Sequence, residues 1–346
     1  MRTLCLTAAC LLGLHTSAFA ENLSVIEQIG NAHSTTVQQQ LLDGGGDNSS
    51  TIWQEGTGHS VSVNQLSVNA NTLTIEQSGV SQEAHIDQRS DPVGNDAAVR
   101  QAGLGNRVTI LQIGDGSGGF SHYAEIEQAG QENVADIEQY YHSASSIIRQ
   151  TGDDNHAKSI QTPFDASLAS FIEQAGTGNN AEVRQTGFFT AVTSEIFQLG
   201  EGNHAVVQQD ASYLLNEALI RQDGGANLAD VRQAGGYARG KIDIDQSGDT
   251  NEATLLQDGG DMNNFATVAQ SGSGNKVATH QTGNYTINTL DIIQDGSDNS
   301  VAVLQIGAIF SNIAAQIEQT GSMKSYALIL VTAWQGLDQA ASLWLA

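Results

Sequence analysis

Thirteen glutamines, each followed two residues later by glycine, recur at a near-constant spacing: Gln28, Gln54, Gln77, Gln101, Gln128, Gln150, Gln174, Gln198, Gln222, Gln246, Gln270, Gln294 and Gln319. The step is 24 residues in most cases and between 22 and 27 in all. A period of this size marks a repeat architecture, in which each unit must stack on its neighbours to bury a core. Other columns keep the same offsets. Glycine stands at +2 in every unit, from Gly30 to Gly321, and isoleucine or valine at −2, from Ile26 to Ile317. Asparagine stands at +5 in nine units: Asn106, Asn133, Asn155, Asn179, Asn203, Asn227, Asn251, Asn275 and Asn299. A second glutamine stands at +11 in twelve: Gln39, Gln65, Gln88, Gln112, Gln139, Gln161, Gln185, Gln209, Gln233, Gln257, Gln281 and Gln305.

Within a unit the inward candidates alternate. Positions −2 and 0 share one face of a first strand, and +7, +9 and +11 (Ala181, Val183 and Gln185 in one unit) share one face of a second. A period of two with β-branched residues on the repeated face predicts strands. The +1 to +6 stretch carries the Gly and Asn that tolerate left-handed backbone. Each unit is therefore expected to be strand–turn–strand, and the chain an all-β solenoid of stacked rungs. Stacking places like over like at about 4.8 Å. For an inward glutamine or asparagine that is productive, because each amide both donates to and accepts from the copy in the next rung. Without that partner it would be a costly buried polar group.

One outward column alternates in sign: Glu76, Arg100, Glu127, Arg149, Glu173. This avoids like charges on adjacent strands. The irregular stretches Asp43–Asn48 and Gly114–Gly119, with Pro92 and Pro163, are expected between units, where the backbone need not join a ladder. No break in composition divides the repeats.

Residues 1–20 read as a signal peptide, with Arg2 as the basic start, an apolar run from Leu4 to Leu14 and a small-x-small site at Ala18-Phe19-Ala20. The apolar run is too short to span a bilayer. Cys5 and Cys10 both lie in this segment, so residues 21–346 hold no disulfide and no thiolate. The chain carries a formal charge of −25, which becomes −26 without Arg2. Such an acidic surface disfavours nucleic acid and anionic membranes as partners. The expected organisation is a signal peptide at 1–20, the repeat solenoid at 21–330, and an irregular apolar segment at 331–346 acting as cap or anchor.

The Q-x-G-x-x-N-x-A-x-x-x-Q unit is complete at Gln128–Gln139, Gln150–Gln161, Gln174–Gln185, Gln198–Gln209, Gln222–Gln233 and Gln246–Gln257. It resembles the curlin repeat of bacterial curli subunits, and looser copies extend the resemblance over nearly all of 21–330. The resemblance implies a left-handed solenoid exported through an outer-membrane secretion apparatus. It also implies templated growth into extracellular amyloid fibres of biofilm. The partners implied are further copies of the chain and a second curlin or nucleator subunit. The glutamine and asparagine columns would carry the assembly. The chain departs from the family where a serine is common six residues before the first glutamine; here Leu168, Val192, Asn216 and Gly240 stand there.

Enzymatic chemistry finds no footing. Gly114 to Gly119 fits G-x-G-x-x-G, but strands are expected on both sides of it and a dinucleotide site needs a helix to follow. The histidines beyond residue 20 (His33, His59, His85, His122, His142, His156, His204 and His280) are expected to be solvated or to substitute in the amide columns rather than to converge on a metal. Turns such as Asp258-Gly259-Gly260-Asp261 lack the nine-residue Gly-Asp period of a calcium β-roll. No carboxylate pair is singled out as acid and base. No cofactor, metal or small-molecule substrate is expected.

The last unit departs from the pattern. Lys324 replaces asparagine, Tyr326 replaces alanine and Leu330 replaces glutamine, and Trp334 and Trp344 follow. The expectation is a non-enzymatic, secreted, self-assembling subunit of curli-like fibres serving biofilm matrix and adhesion. The alternatives are a nucleator of such fibres or a monomeric solenoid adhesin.

Overall fold

The computed structural model describes residues 22–41, 47–67, 70–90, 93–114, 121–213, 215–237, 239–260, 262–307, 311–331 and 338–345. The signal-peptide segment, Pro92, and most of the Asp43–Asn48 and Gly114–Gly119 stretches lie outside them, as does Trp334. All the regular structure among the described residues is β-strand. The chain forms two compact units, residues 1–155 and 156–346. Each is a β-solenoid of two parallel sheets.

In the first unit, one sheet holds the strands that carry the first glutamine of each repeat, from Leu23–Asn31 to Ala144–Asp153. The other holds the strands carrying the second glutamine, from Ser34–Leu41 to Val134–Tyr141. In the second unit the corresponding sheets run from Ser167–Thr177 to Asp338–Leu345 and from His156–Phe164 to Ser325–Val331. Consecutive members of a sheet are one repeat apart and pair in parallel. The register puts glutamine on glutamine, as with Gln28 and Gln54 or Gln222 and Gln246. A one-residue slip would turn every inward side chain to solvent, so the apolar columns fix this register.

Those columns form the core. At −2, Ile172, Ile196, Ile220 and Ile244 are fully buried. At +7 and +9 they face smaller residues such as Ala205, Val207, Ala229 and Val231, also buried. A large residue opposite a small one lets two sheets interdigitate without voids.

The turn between the two strands of a rung uses two left-handed residues. The +2 glycine lies at φ between about 99° and 132°, and a Cβ on Gly224 would stand 2.1 Å from the carbonyl oxygen of Gly248 in the next rung. Only glycine fits this column. The +4 residue sits at a milder φ, +52° at Ala226 and +67° at Gly202, and is not confined to glycine.

Pro163 corrects an expectation. It lies inside the strand His156–Phe164, buried and in register with Gly187. At the penultimate position of a strand, proline removes one ladder donor and leaves the rest of the pairing intact.

Candidate functional site

The inward amides form three columns in each unit. In the first unit, the Nε2 of Gln28, Gln54, Gln77, Gln101 and Gln128 each donates to the Oε1 of the glutamine one rung on, ending at Gln150, over 2.6–2.9 Å. Gln39, Gln65, Gln88 and Gln112 do the same, ending at Gln139, over 2.7–2.9 Å. In the second unit the first column runs from Gln174 through Gln198, Gln222, Gln246, Gln270 and Gln294 to Gln319. Its companion runs from Gln161 through Gln185, Gln209, Gln233, Gln257 and Gln281 to Gln305.

The direction is uniform: every Nε2 points toward the C-terminal neighbour. A second contact fixes that orientation. The Nε2 of Gln222 also donates to the carbonyl of His204, and that of Gln209 to the carbonyl of Thr193. A carbonyl can only accept, so the atom facing it must be the amide nitrogen. In these two glutamines both amide hydrogens are thereby used.

The asparagine column does more than pair amides. At the corner, the backbone N–H of each +5 residue turns to the side-chain Oδ1 one rung earlier. Asn203, Asn227, Asn251, Asn275 and Asn299 all donate this way, to Asn179, Asn203, Asn227, Asn251 and Asn275 respectively, over 3.0–3.2 Å. Asn133 and Asn155 do so onto Asn106 and Asn133 in the first unit. The Nδ2 meanwhile reaches the carbonyl of the +2 glycine one rung later, as from Asn227 to Gly248 at 2.7 Å. Asparagine is short enough to serve both backbone groups at once, which is why it recurs at this offset.

Substitutes at +5 keep as much of this as their chemistry allows. His59 is fully buried; its Nδ1 accepts the N–H of Gln82 and its Nε2 donates to the carbonyl of Glu55. Its ring stacks on that of His33, centroids 5.0 Å apart. Burial lowers the His59 pKa below the ordinary imidazole value, the hydrogen bond to Glu55 opposes this, and His33 adds to the lowering. Gln82 carries the column on, accepting from the N–H of Asn106. Lys324, in the last unit, sends its Nζ back to the carbonyl of Thr320 and has no acceptor to offer a following rung.

Not every histidine is solvated or in that column. His122 and His142 are buried in the strand-side corner of the first unit. His122 belongs to a further polar column, six residues before the first glutamine. There the Nδ2 of Asn48 donates to Asn22, and the N–H groups of Asn71, Asn95 and His122 each turn to the asparagine one rung earlier. In the second unit Asn216, Asn264 and Asn288 occupy the same offset, with Gly240 donating its N–H to Asn216 and Asn288 its Nδ2 to Asn264. The repetition of asparagine at this offset was the available signal; measured against the family's serine, it looks like mere irregularity. Leu168 and Val192 fill the offset in two rungs and cluster with Ala166 and Ala211 instead.

Outside, Arg100 bridges Glu76 and Glu127, and Arg149 continues to Glu127 and Glu125. In the second unit Lys241 pairs with Glu217 and Lys276 with Glu252. Tyr123 donates to Glu125, and that bond to a carboxylate, with burial, pushes its pKa up to about 12. At the second corner four aromatic rings lie together and exposed: Phe164 against Phe188, and Phe189 against Phe188 and Tyr213. Among the described residues no three metal-ligating side chains converge.

No protein-family model matches the chain, and no curated protein sequence matches it.

Proposed function

We propose that the chain is a secreted structural subunit that self-assembles into extracellular, curli-like amyloid fibres. The observation that carries this reading is the state of the first rung. Ile26, Gln28, Val37 and Gln39 are half-exposed there, whereas their counterparts Ile52, Gln54, Val63 and Gln65 one rung on are fully buried. A parallel rung with this pattern laid on Leu23–Asn31 and Ser34–Leu41 would complete both the backbone ladder and the amide columns. Repetition makes another molecule of the same kind a natural source of such a rung. The same reasoning covers a nucleator role, since a nucleator offers the rung rather than receiving it.

Incubating the purified chain, freed of residues 1–20, and following thioflavin fluorescence with negative-stain microscopy tests the reading. Fibres are expected, and persistent monodisperse monomers would overturn it. With a formal charge of −26 once residues 1–20 are gone, copies repel one another near neutrality. Assembly should therefore quicken between about pH 8 and about pH 4 as carboxylates are protonated, and rates that stay equal would contradict this.

The exposed aromatic cluster Phe164, Phe188, Phe189 and Tyr213 favours a second reading, a solenoid adhesin that works as a monomer. Contiguous exposed apolar surface of this kind marks a contact site. The same incubation separates the two.

A further inference from the structure

In the unit at 156–346, the second corner holds residues against the preference of its own backbone. Three successive rungs set the same corner position in the left-handed region: Asp165 at φ 50°, Phe189 at 51° and Tyr213 at 68°. Aspartate tolerates that region, whereas a bulky ring there is an outlier. The ladder does not ask for the rings. The N–H of Phe189 donates to the carbonyl of Phe164, and that of Tyr213 to the carbonyl of Phe188, so backbone alone joins the rungs at this corner. Strain that the fold does not require points to a use for the side chain.

Those side chains are not spent on the core. Phe164, Phe188, Phe189 and Tyr213 each keep 36–49% of their surface in solvent. Phe164 stacks on Phe188 and Phe189 on Tyr213, centroids 5.4 and 5.6 Å apart, and Phe188 meets Phe189 at 83°. The four rings form one exposed platform across three rungs.

Its surroundings are acidic. Asp165 adjoins Phe164, Asp210 stands three residues before Tyr213, and both are exposed. Residues 161–215 carry six carboxylates and one cation, Arg184, which is paired with Glu182. An aromatic platform in a negative field attracts a cation through the ring faces and through the carboxylates. The rings also call for a flat apolar partner, which a bare ammonium does not supply. A sugar ring bearing an amine meets both demands, since one side of a pyranose is a sheet of C–H groups. The same field repels anionic polysaccharides.

Resting on the reading of this cluster as a contact site, we propose that Phe164, Phe188, Phe189 and Tyr213, with Asp165 and Asp210, bind a polysaccharide of free amino sugars. The pyranose rings pack on the aromatics, and the ammonium groups pair with the carboxylates.

The test is calorimetric binding of the full chain without residues 1–20 to a short β-linked glucosamine oligomer. The comparators are the fully N-acetylated oligomer and a lysine oligomer of equal charge. Mildly acidic buffer keeps the amines protonated and the carboxylates largely ionised. The glucosamine oligomer should bind, and each comparator should bind about tenfold more weakly, because each lacks one of the two attractions. Phe189→Asn/Tyr213→Asn should weaken binding by a similar factor without lowering the melting temperature, because asparagine suits the left-handed backbone. Asp165→Asn/Asp210→Asn should weaken binding and flatten its salt dependence. Equal affinity for either comparator overturns the proposal, and so does unchanged binding by the folded Phe189→Asn/Tyr213→Asn variant. If circular dichroism shows that variant unfolded, Asp165→Asn/Asp210→Asn decides by the same criterion. Should the glucosamine oligomer fail to bind while the wild type, and not the ring variant, adheres to polystyrene, the contact site stands and the sugar is refuted. No difference between the two proteins on either ligand refutes both.

Discussion

Replacing Asn227 by alanine should be among the most damaging polar substitutions in the second unit. The side chain is fully buried and takes part in four hydrogen bonds. Its Nδ2 donates to Gly248 at 2.7 Å and to Asn203 at 3.1 Å; its Oδ1 accepts from the N–H of Asn251 at 3.0 Å and from the Nδ2 of Asn251 at 3.2 Å. Alanine removes them all and strands the N–H of Asn251 in a corner with no room for it to turn. A buried donor left unmet costs about 1–3 kcal/mol, and the lost amide bonds add about 1 kcal/mol more. The expected loss is therefore about 3 kcal/mol, centred on this corner. Because solenoid stability is a sum of local terms, a global melting curve would dilute it. Amide hydrogen exchange reads it where it occurs, and the Asn251 N–H should exchange about two orders of magnitude faster. Asn227→His is the discriminating control. His59 already shows that an imidazole at this offset can accept the next N–H through Nδ1 while donating through Nε2. Histidine should recover at least half the protection. If alanine left the Asn251 exchange within threefold of wild type (roughly 0.6 kcal/mol), the account of the asparagine column would be wrong.

Three further outcomes are expected. Gly224→Ala should cost roughly 4 kcal/mol or more, because its Cβ would press on the Gly248 carbonyl. Gly202→Ala, at φ +67° with open space around it, should cost only about 1–2 kcal/mol; equal urea midpoints for the two would refute the close-approach argument. Arg100→Glu would line up three carboxylates with Glu76 and Glu127, lowering stability by about 1 kcal/mol at low salt and less at high salt. A salt-independent loss would point to packing instead. The His59 imidazole, its pKa lowered by burial, takes up a proton less readily folded than unfolded. Its stabilisation should be complete above its ordinary value of 6.5 and be lost as the pH falls from there through the lowered folded value. Exchange in the strands Ser49–Thr57 and Ser60–Ser67 should accelerate across that window beyond its intrinsic pH dependence, and His59→Asn should abolish the excess.

The rung was legible because its inward residues keep constant offsets from one glutamine. Ile220, Gln222, Ala229, Val231 and Gln233 could be assigned to a face by alternation alone, and that face is where they lie. The second corner was legible only in part. Phe164 and Phe188 stand one 24-residue step apart, as do Phe189 and Tyr213, but the corner's length varies between other repeats, so these pairs do not extend into a long column. The asparagine column six residues before the first glutamine was hidden differently: Leu168, Val192 and Gly240 interrupt it, and a column is recognised by its continuity. Alternation also says which side chains stack without saying which way an amide points. That requires the backbone carbonyls of His204 and Thr193 in place.

The directed amides give each unit an electrical axis. In a β-sheet the backbone dipoles largely cancel. The side chains do not. In the second unit two glutamine columns point their N–H groups toward the C-terminal end, while the Nδ2 of Asn227 and Asn251 donates both ways, to the preceding asparagine and to the glycine of the following rung. Each glutamine column is a line of parallel amide dipoles adding head to tail as peptide units do in a helix. Their negative poles lie toward the N-terminal side of the unit. Any array that kept this orientation from molecule to molecule would be a polar filament, and it would align in an electric field with its two ends distinguishable.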